Sequence, residues 1–323
     1  MAELPEEPFP GRPRLIFMGT PDFAVPTLKA LISHGHNVLA VVTQPDRPKG
    51  RGKRLTAPPV KQVALENHID VFQPEKASDD LFCAQIREKQ PQLIIVVAFG
   101  QILRKKLLDI PPWGVINVHA SLLPKLRGAA PIQWAILNDD SKTGLTVMQM
   151  DEGMDTGPML FQEEVPVLKD ETAGHLHDRL AEMAGGLMVR SLEQMYGTRA
   201  KSTPQDHTKA TYAPKITKDL SLVNWKDEAA KVSARIRGLD PKPGAYTLWE
   251  GNEVKVFAST VMDRTWEEGP PGQVLGLREE RLVVGTGRGT IGIRELQYPG
   301  KNRLPAKEFL RGFAIPEGAV LGR

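Results

Sequence analysis

Asn117 and His119 lie two apart in Gly114-Val-Ile-Asn-Val-His-Ala-Ser-Leu-Leu-Pro-Lys-Leu-Arg-Gly128, an otherwise apolar stretch. Alternate side chains of a β-strand share a face, so an amide and an imidazole point the same way while Val115, Ile116 and Val118 fill the layers around them. Such groups can donate hydrogen bonds to a developing oxyanion, and the imidazole can move a proton. The alternative is a strand running out into solvent, with both groups merely hydrated. A second polar cluster follows the strand expected at Thr143 to Met150, in the acidic turn Asp151-Glu-Gly-Met-Asp-Thr-Gly157.

The elements that would position these groups read as alternating strands and helices. Arg14 to Met18 is expected as a first buried strand, followed by a helix with Leu28, Leu31 and Ile32 on one face, and then a strand from Asn37 to Thr43. That order implies a parallel sheet with right-handed crossovers. Helices are expected at Pro59 to Asn67, Ser78 to Lys89, Ala129 to Leu137 and Thr172 to Met195. The continuous apolar run Leu93 to Ala98 fits a central strand covered on both faces. Ligand crevices in such sheets lie at the carboxyl ends of the strands, so Phe99-Gly100, His119 to Ser121 and Asp151 to Gly157 are expected to meet.

Several chemistries are disfavoured. The turn at Gly19-Thr20-Pro21 has one glycine where a dinucleotide fold would show three, and no Walker pattern is present. The acidic turn does not match a calcium loop. His175 and His177, two apart on a helix, face different directions and make a poor zinc pair. The single cysteine, Cys83, excludes an internal disulfide and fits a reducing compartment. On its helix it reads as a small buried residue, without a partner that would mark it as a nucleophile. No apolar run is long enough to span a bilayer, so a soluble, cytoplasmic protein is expected.

The chain has 323 residues, 41% hydrophobic and 25% charged, long enough that two domains are expected. The acidic, proline-rich N-terminus reads as a loose tail. Gln44 to Pro59 reads as a loop too rich in proline and glycine for helix or strand. Between Gln44 and Lys61 six Lys or Arg face one Asp, a net of +5, which suits phosphates on a nucleic acid as well as an ordinary solvated surface. Residues 196–214 have the character of a linker. Beyond a helix at Asp227 to Gly238, about five short strands separated by glycine turns suggest a small barrel of the oligonucleotide-binding kind. Residues 209–323 hold 19 Lys or Arg against 14 Asp or Glu, a net of +5, whereas residues 1–208 hold 23 against 25, a net of −2. A second basic surface strengthens the expectation of a phosphate-rich partner.

Over nearly all of its length beyond the first dozen residues, the sequence resembles the methionyl-tRNA formyltransferase family. The resemblance is carried by Gly19-Thr-Pro-Asp-Phe-Ala-Val-Pro26, Gln44-Pro-Asp-Arg-Pro48 with Gly50-Arg-Gly-Lys53, Asn117-Val-His119, Ser121-Leu-Leu-Pro124, Arg127-Gly-Ala-Ala-Pro-Ile-Gln133 and Met148-Gln-Met-Asp-Glu-Gly-Met-Asp-Thr-Gly157. Asn-x-His, the Ser-Leu-Leu-Pro turn and the later Asp mark 10-formyltetrahydrofolate enzymes in general; the basic loop and the second domain narrow the match.

The resemblance implies an α/β fold, with a Rossmann-like parallel-sheet catalytic domain over 14–195 after a tail over 1–13. A linker over 196–214 then leads to an OB-like tRNA-binding barrel over 215–323. It implies formyl transfer from 10-formyltetrahydrofolate to initiator methionyl-tRNA, without a metal, by a monomer. Asn117 and His119 would stabilise the oxyanion, and Asp155 would polarise His119 and help move the proton. The folate pocket would be formed by Val97, Phe99, Gly100, Leu103, Ser121, Leu122, Leu123, Pro124, Asp151 and Gly153. The tRNA would meet Arg47, Lys49, Arg51, Lys53 and Arg54. Two other readings stay open: formyl transfer to a small amine, or to water, and a non-catalytic RNA-binding protein, which would leave Asn117, His119 and Asp155 without a purpose.

Overall fold

The computed structural model describes residues 7–49, 54–198, 201–262 and 269–322. By its internal contacts the chain divides into two compact units. Unit 1 comprises Met1–Gly128, Gly144–Val165 and His177–Tyr212; unit 2 comprises Ala129–Thr143, Pro166–Leu176 and Ala213–Arg323.

In chain order the elements begin with β1 (Leu15–Gly19), α1 (Val25–Ser33), β2 (Val38–Val42), β3 (Arg47–Lys49), β4 (Arg54–Thr56), α2 (Pro59–Glu66) and β5 (Asp70–Phe72). They continue with α3 (Asp80–Glu88), β6 (Leu93–Val97), α4 (Lys105–Leu108), β7 (Val115–His119), α5 (Pro131–Leu137), β8 (Lys142–Gln149), β9 (Met159–Pro166) and α6 (Ala173–Met195). Seven strands form one sheet in the order β5-β2-β1-β6-β7-β8-β9. The pairs from β5 to β7 are parallel, as strand-helix alternation requires. β1 and β6 are buried along their whole length, which is why both read as unbroken apolar runs. Leu28 and Leu31 turn the buried face of α1 inward, and Ile32 is half-buried. Cys83 is part of the core beneath the sheet, and burial pushes its thiol pKa up.

β8 departs from the expected parallel arrangement. It runs antiparallel to β7, pairing Ile116 with Gln149 and His119 with Thr146. Its carboxyl end therefore lies toward the amino end of β7, not beside His119. The Asp151 to Gly157 turn is not a third parallel strand end, and it reaches His119 only by folding back. The β7-β8 connection, which includes α5, is long enough for a parallel crossover, so only the observed register sets the direction of β8.

Two further expectations change. The basic loop contains a hairpin, with Arg47 opposite Thr56 and Pro48 opposite Leu55. Proline is tolerated there because an isolated two-stranded ribbon consists of edges only. The N-terminal segment is not loose where it is described. Phe9 is 1% exposed, its ring centroid lies 4.9 Å from that of Trp113, and it stacks on Tyr196. Its backbone also pairs with Gly197 and Thr198. The acidic residues around it hid this one apolar anchor. Phe9→Ala is expected to cost about 3 kcal/mol, the low end for a buried aromatic, because a terminal segment can peel away instead of leaving a cavity. Urea denaturation checks this, and an unchanged midpoint would show that the anchor contributes nothing.

Unit 2 is organised by α7 (Ala229–Gly238), β10 (Ala245–Trp249), β11 (Asn252–Val261), β12 (Val274–Arg278), β13 (Arg281–Gly285), β14 (Thr290–Gln297), β15 (Arg303–Pro305) and α8 (Ala306–Gly312). The antiparallel order is β10-β11-β14-β13-β12, with β15 added on β14. Val232 and Ile236 of α7 and Phe309 of α8 pack into a core with Val254, Val256 and Ile293. The last residues bridge the two edges: Val274 N–H donates to the Ala319 carbonyl beside β12, and Gly322 N–H to the Leu248 carbonyl of β10. The C-terminal segment thus closes the small barrel. No helix among the described residues is long and apolar enough to cross a membrane.

Candidate active site

Thr20, Gln44 and Phe99 close the carboxyl ends of β1, β2 and β6. The Thr20 hydroxyl and the Gln44 amide both donate to the Phe99 carbonyl, at 2.9 and 3.3 Å. β7 continues this edge, with Val96 opposite Asn117. Asn117 is half-buried, and among the described residues its amide has no hydrogen-bond partner. An amide left free at a strand end is available to a ligand.

His119 is 6% exposed. Its Nε2 lies 2.9 Å from the Leu126 carbonyl oxygen, which can only accept, so Nε2 must carry hydrogen. Nδ1 is then the nitrogen left to exchange a proton, and it faces Asp155 Oδ2 at 3.7 Å. That is charge contact and too long for a hydrogen bond. Asp155 Oδ2 accepts the Gly128 N–H at 2.8 Å, which fixes the direction of the carboxylate. With Nε2 committed to Leu126, His119 can donate to an oxyanion only through Nδ1–H, hence as the imidazolium. Asp155 stands where it stabilises that cation.

Two residues of this arrangement hold left-handed backbone: Leu126 at φ 57° and Asp155 at φ 54°. Each such residue costs about 1–3 kcal/mol and persists only where its surroundings hold it. Here Asp155 leans on Gln205, whose Nε2 donates to the Asp155 and Gly157 carbonyls at 2.8 and 2.7 Å. Arg127, 2% exposed, donates to Gln205 Oε1 through Nη2 at 2.6 Å and Nε at 3.1 Å. Sequence reasoning gave neither residue a role. Arg127 was visible only as part of a motif, and Gln205 lay in an apparent linker.

Comparison with known proteins gives this geometry a family. The family model for "Formyl transferase" matches residues 13–192, and that for "Formyl transferase, C-terminal domain" matches residues 215–314. The chain belongs to the formyl transferase family. Its sequence is similar to the methionyl-tRNA formyltransferase of Pelotomaculum thermopropionicum, 50% identical over 96% of this chain and 98% of that protein. It is also similar to the methionyl-tRNA formyltransferase of Geobacter sulfurreducens, 47% identical over 96% of each. HypX from Aquifex aeolicus, solved in complex with tetrahydrofolic acid, shares the fold at a TM-score of 0.66 and 19% identity, over 96% of this chain and 49% of that one.

Within this formyl transferase, the residues expected at the folate fall into separate groups. Asp151 and Gly153 line a cavity of about 330 Å³ together with Lys105, Leu108, Gly114 and Met150. Val97 is buried, and the Phe99 and Leu103 side chains belong to the hydrophobic core, so these three can offer a ligand backbone only. Gly100 follows at the exposed strand end. The Ser121 hydroxyl is spent inside its own turn, donating to the Lys125 carbonyl at 2.6 Å. Leu123 is buried, Leu122 and Pro124 are half-buried, and none of this turn lines the 330 Å³ cavity. Among the described residues no group of three His, Cys, Asp or Glu could hold a metal ion.

Of the expected tRNA contacts, Arg47 is exposed on β3, the backbones of Lys49 and Arg54 are paired in the hairpin, and Arg51 and Lys53 lie outside the described residues. The base of the hairpin is braced. Lys61 Nζ pairs with Asp46 at 2.8 Å and donates to Gln73 Oε1 at 2.8 Å, and Gln73 donates back to Asp46 at 2.7 Å. Lys61 and Asp46 neutralise each other, so the net +5 between Gln44 and Lys61 comes from Arg47, Lys49, Arg51, Lys53 and Arg54 of the sequence. The Lys61 bond holds the Asp46 carboxyl below the usual range.

Proposed function

We propose that this protein transfers the formyl group of 10-formyltetrahydrofolate to the α-amino group of initiator methionyl-tRNA. The observation that carries the reading is the convergence of a partnerless Asn117 amide, His119 Nδ1 and the Asp155 carboxylate at one strand end, in a chain similar to methionyl-tRNA formyltransferases along nearly its whole length. The folate supplies, when bound, a formyl carbon activated by its bond to N10. The Asp151 and Glu152 carboxylates, on the turn that carries Asp155, can accept the N–H groups of a pterin.

In the transfer a bond forms between the amine nitrogen and the formyl carbon, the bond from that carbon to N10 breaks, and one proton leaves the amine for N10. Asn117 donates its N–H to the formyl oxygen as negative charge gathers there. His119 holds the proton at Nδ1 and, so charged, donates to the same oxygen. Asp155 stabilises the charged ring and accepts or returns the proton as it moves.

The hairpin cations favour tRNA over a small amine. Among the described residues Lys242, Arg294, Lys301 and Arg311 of the barrel are exposed without a carboxylate partner, which makes them candidates for the phosphates farther from the reacting end. The reading is tested by the salt dependence of tRNA affinity. The log-log slope is expected to fall by about 0.7 to 0.9 for each contact removed in Arg47→Ala or Arg51→Ala, with folate affinity unchanged. A slope near zero in the wild type would favour a small-molecule acceptor.

A further inference from the structure

The segment after α6 does more than connect. Thr203 pairs with Met159 of β9 through both backbone bonds, and residues 205–212 then run along the two strained residues of the active site. Leu126 N–H donates to Thr211 Oγ1 at 2.9 Å, and the Leu126 carbonyl is the one that receives His119 Nε2–H. Arg127 N–H donates to the Thr211 carbonyl at 2.9 Å. Gln205, 5% exposed, ties down the Asp155 and Gly157 carbonyls with one amide nitrogen. A guanidinium cannot accept, so Arg127 forces Gln205 Oε1 toward itself and leaves Nε2 for the two carbonyls. Arg127 in turn donates to His207 Nδ1 at 3.1 Å, a third member of the same segment.

We propose that Gln205 and Thr211 are positioning residues for formyl transfer: they hold the left-handed backbones of Asp155 and Leu126, and through them set the approach of Asp155 to His119 Nδ1. The proposal rests on the reading of Asn117, His119 and Asp155 as the reacting groups. Its specific content is that the Gln205 N–H, rather than the bulk of the side chain, matters. Without it the Asp155 carbonyl has no donor to hold the turn, the residue relaxes from φ 54°, and the carboxylate leaves the imidazole. Displacement of a catalytic group by about 1 Å can cost about 10²-fold in rate.

Gln205→Glu separates positioning from packing. It keeps the shape and gives Arg127 a carboxylate, yet it sets an oxygen against two carbonyl oxygens, so the kinetics are read well below the thermal midpoint of the variant. The expected result is a kcat lower by about 10²-fold with KM for tRNA and folate within about 3-fold. In an Asp155→Asn background the same change should cost far less, because the group it positions is already impaired. Near-normal kcat in Gln205→Glu, or an equal loss in both backgrounds, overturns the proposal. Thr211→Val and Thr211→Ser give an independent arm should Gln205→Glu fail to fold: Val is expected to lower kcat and Ser to restore it, and equal activity of the two overturns the role of Thr211. If Asp155→Asn itself turns over normally, it is the site reading that fails; if it is impaired while Gln205→Glu is not, only the clamp fails.

Discussion

Asn117→Ala and His119→Ala are each expected to lower the turnover of formyl transfer by about 10²- to 10³-fold, the usual effect of removing one donor from an oxyanion site. The Asn117 amide has no partner among the described residues, so its loss leaves no broken internal bond and the protein should fold as before. Affinity for methionyl-tRNA should be unchanged, because the cations expected to meet phosphates lie on the hairpin and the barrel. His119→Ala differs in one respect: it also removes the bond to the Leu126 carbonyl. Its stability should therefore fall as well, and kinetics must be measured where it is fully folded. Single-turnover formylation with saturating enzyme separates the chemical step from binding. Near-normal rates in both variants would remove this pair from the reaction.

The second large effect is expected for Asp155→Asn. The substitution keeps the size of the side chain, and its amide oxygen can still accept the Gly128 N–H, so the turn should persist. What disappears is the carboxylate 3.7 Å from His119 Nδ1, the group proposed to exchange the proton. A positioned acid-base group contributes about 10² to 10⁴ in rate, so kcat should fall within that range with little change in KM. A loss confined to KM would place Asp155 in binding instead of proton transfer.

Much of this was legible in the sequence. The burial of β1 and β6 showed as apolar runs, and the alternation in β7 put Asn117 and His119 on one face because strand periodicity leaves no other choice. The direction of β8 was not legible. Its residues are buried whichever way the strand runs, and only the pairing of His119 with Thr146 reveals the reversal. β9 passed unnoticed because Glu163 takes one of the inward positions, so the burial that alternates from Phe161 to Pro166 has no matching apolar alternation in the sequence. Gln205, Thr211 and Phe9 share a different obscurity: each acts through long-range contacts made from within a polar, proline-bearing stretch, and local pattern carries no trace of such contacts.

The most direct test of formyl transfer to methionyl-tRNA is incubation of the protein with 10-formyltetrahydrofolate and charged initiator tRNA, followed by mass analysis of the amino acid released from the tRNA. N-formylmethionine, formed with wild-type protein and lost with Asn117→Ala, is the result expected. Unmodified methionine, with the formyl group recovered as formate or on a small amine, would contradict it.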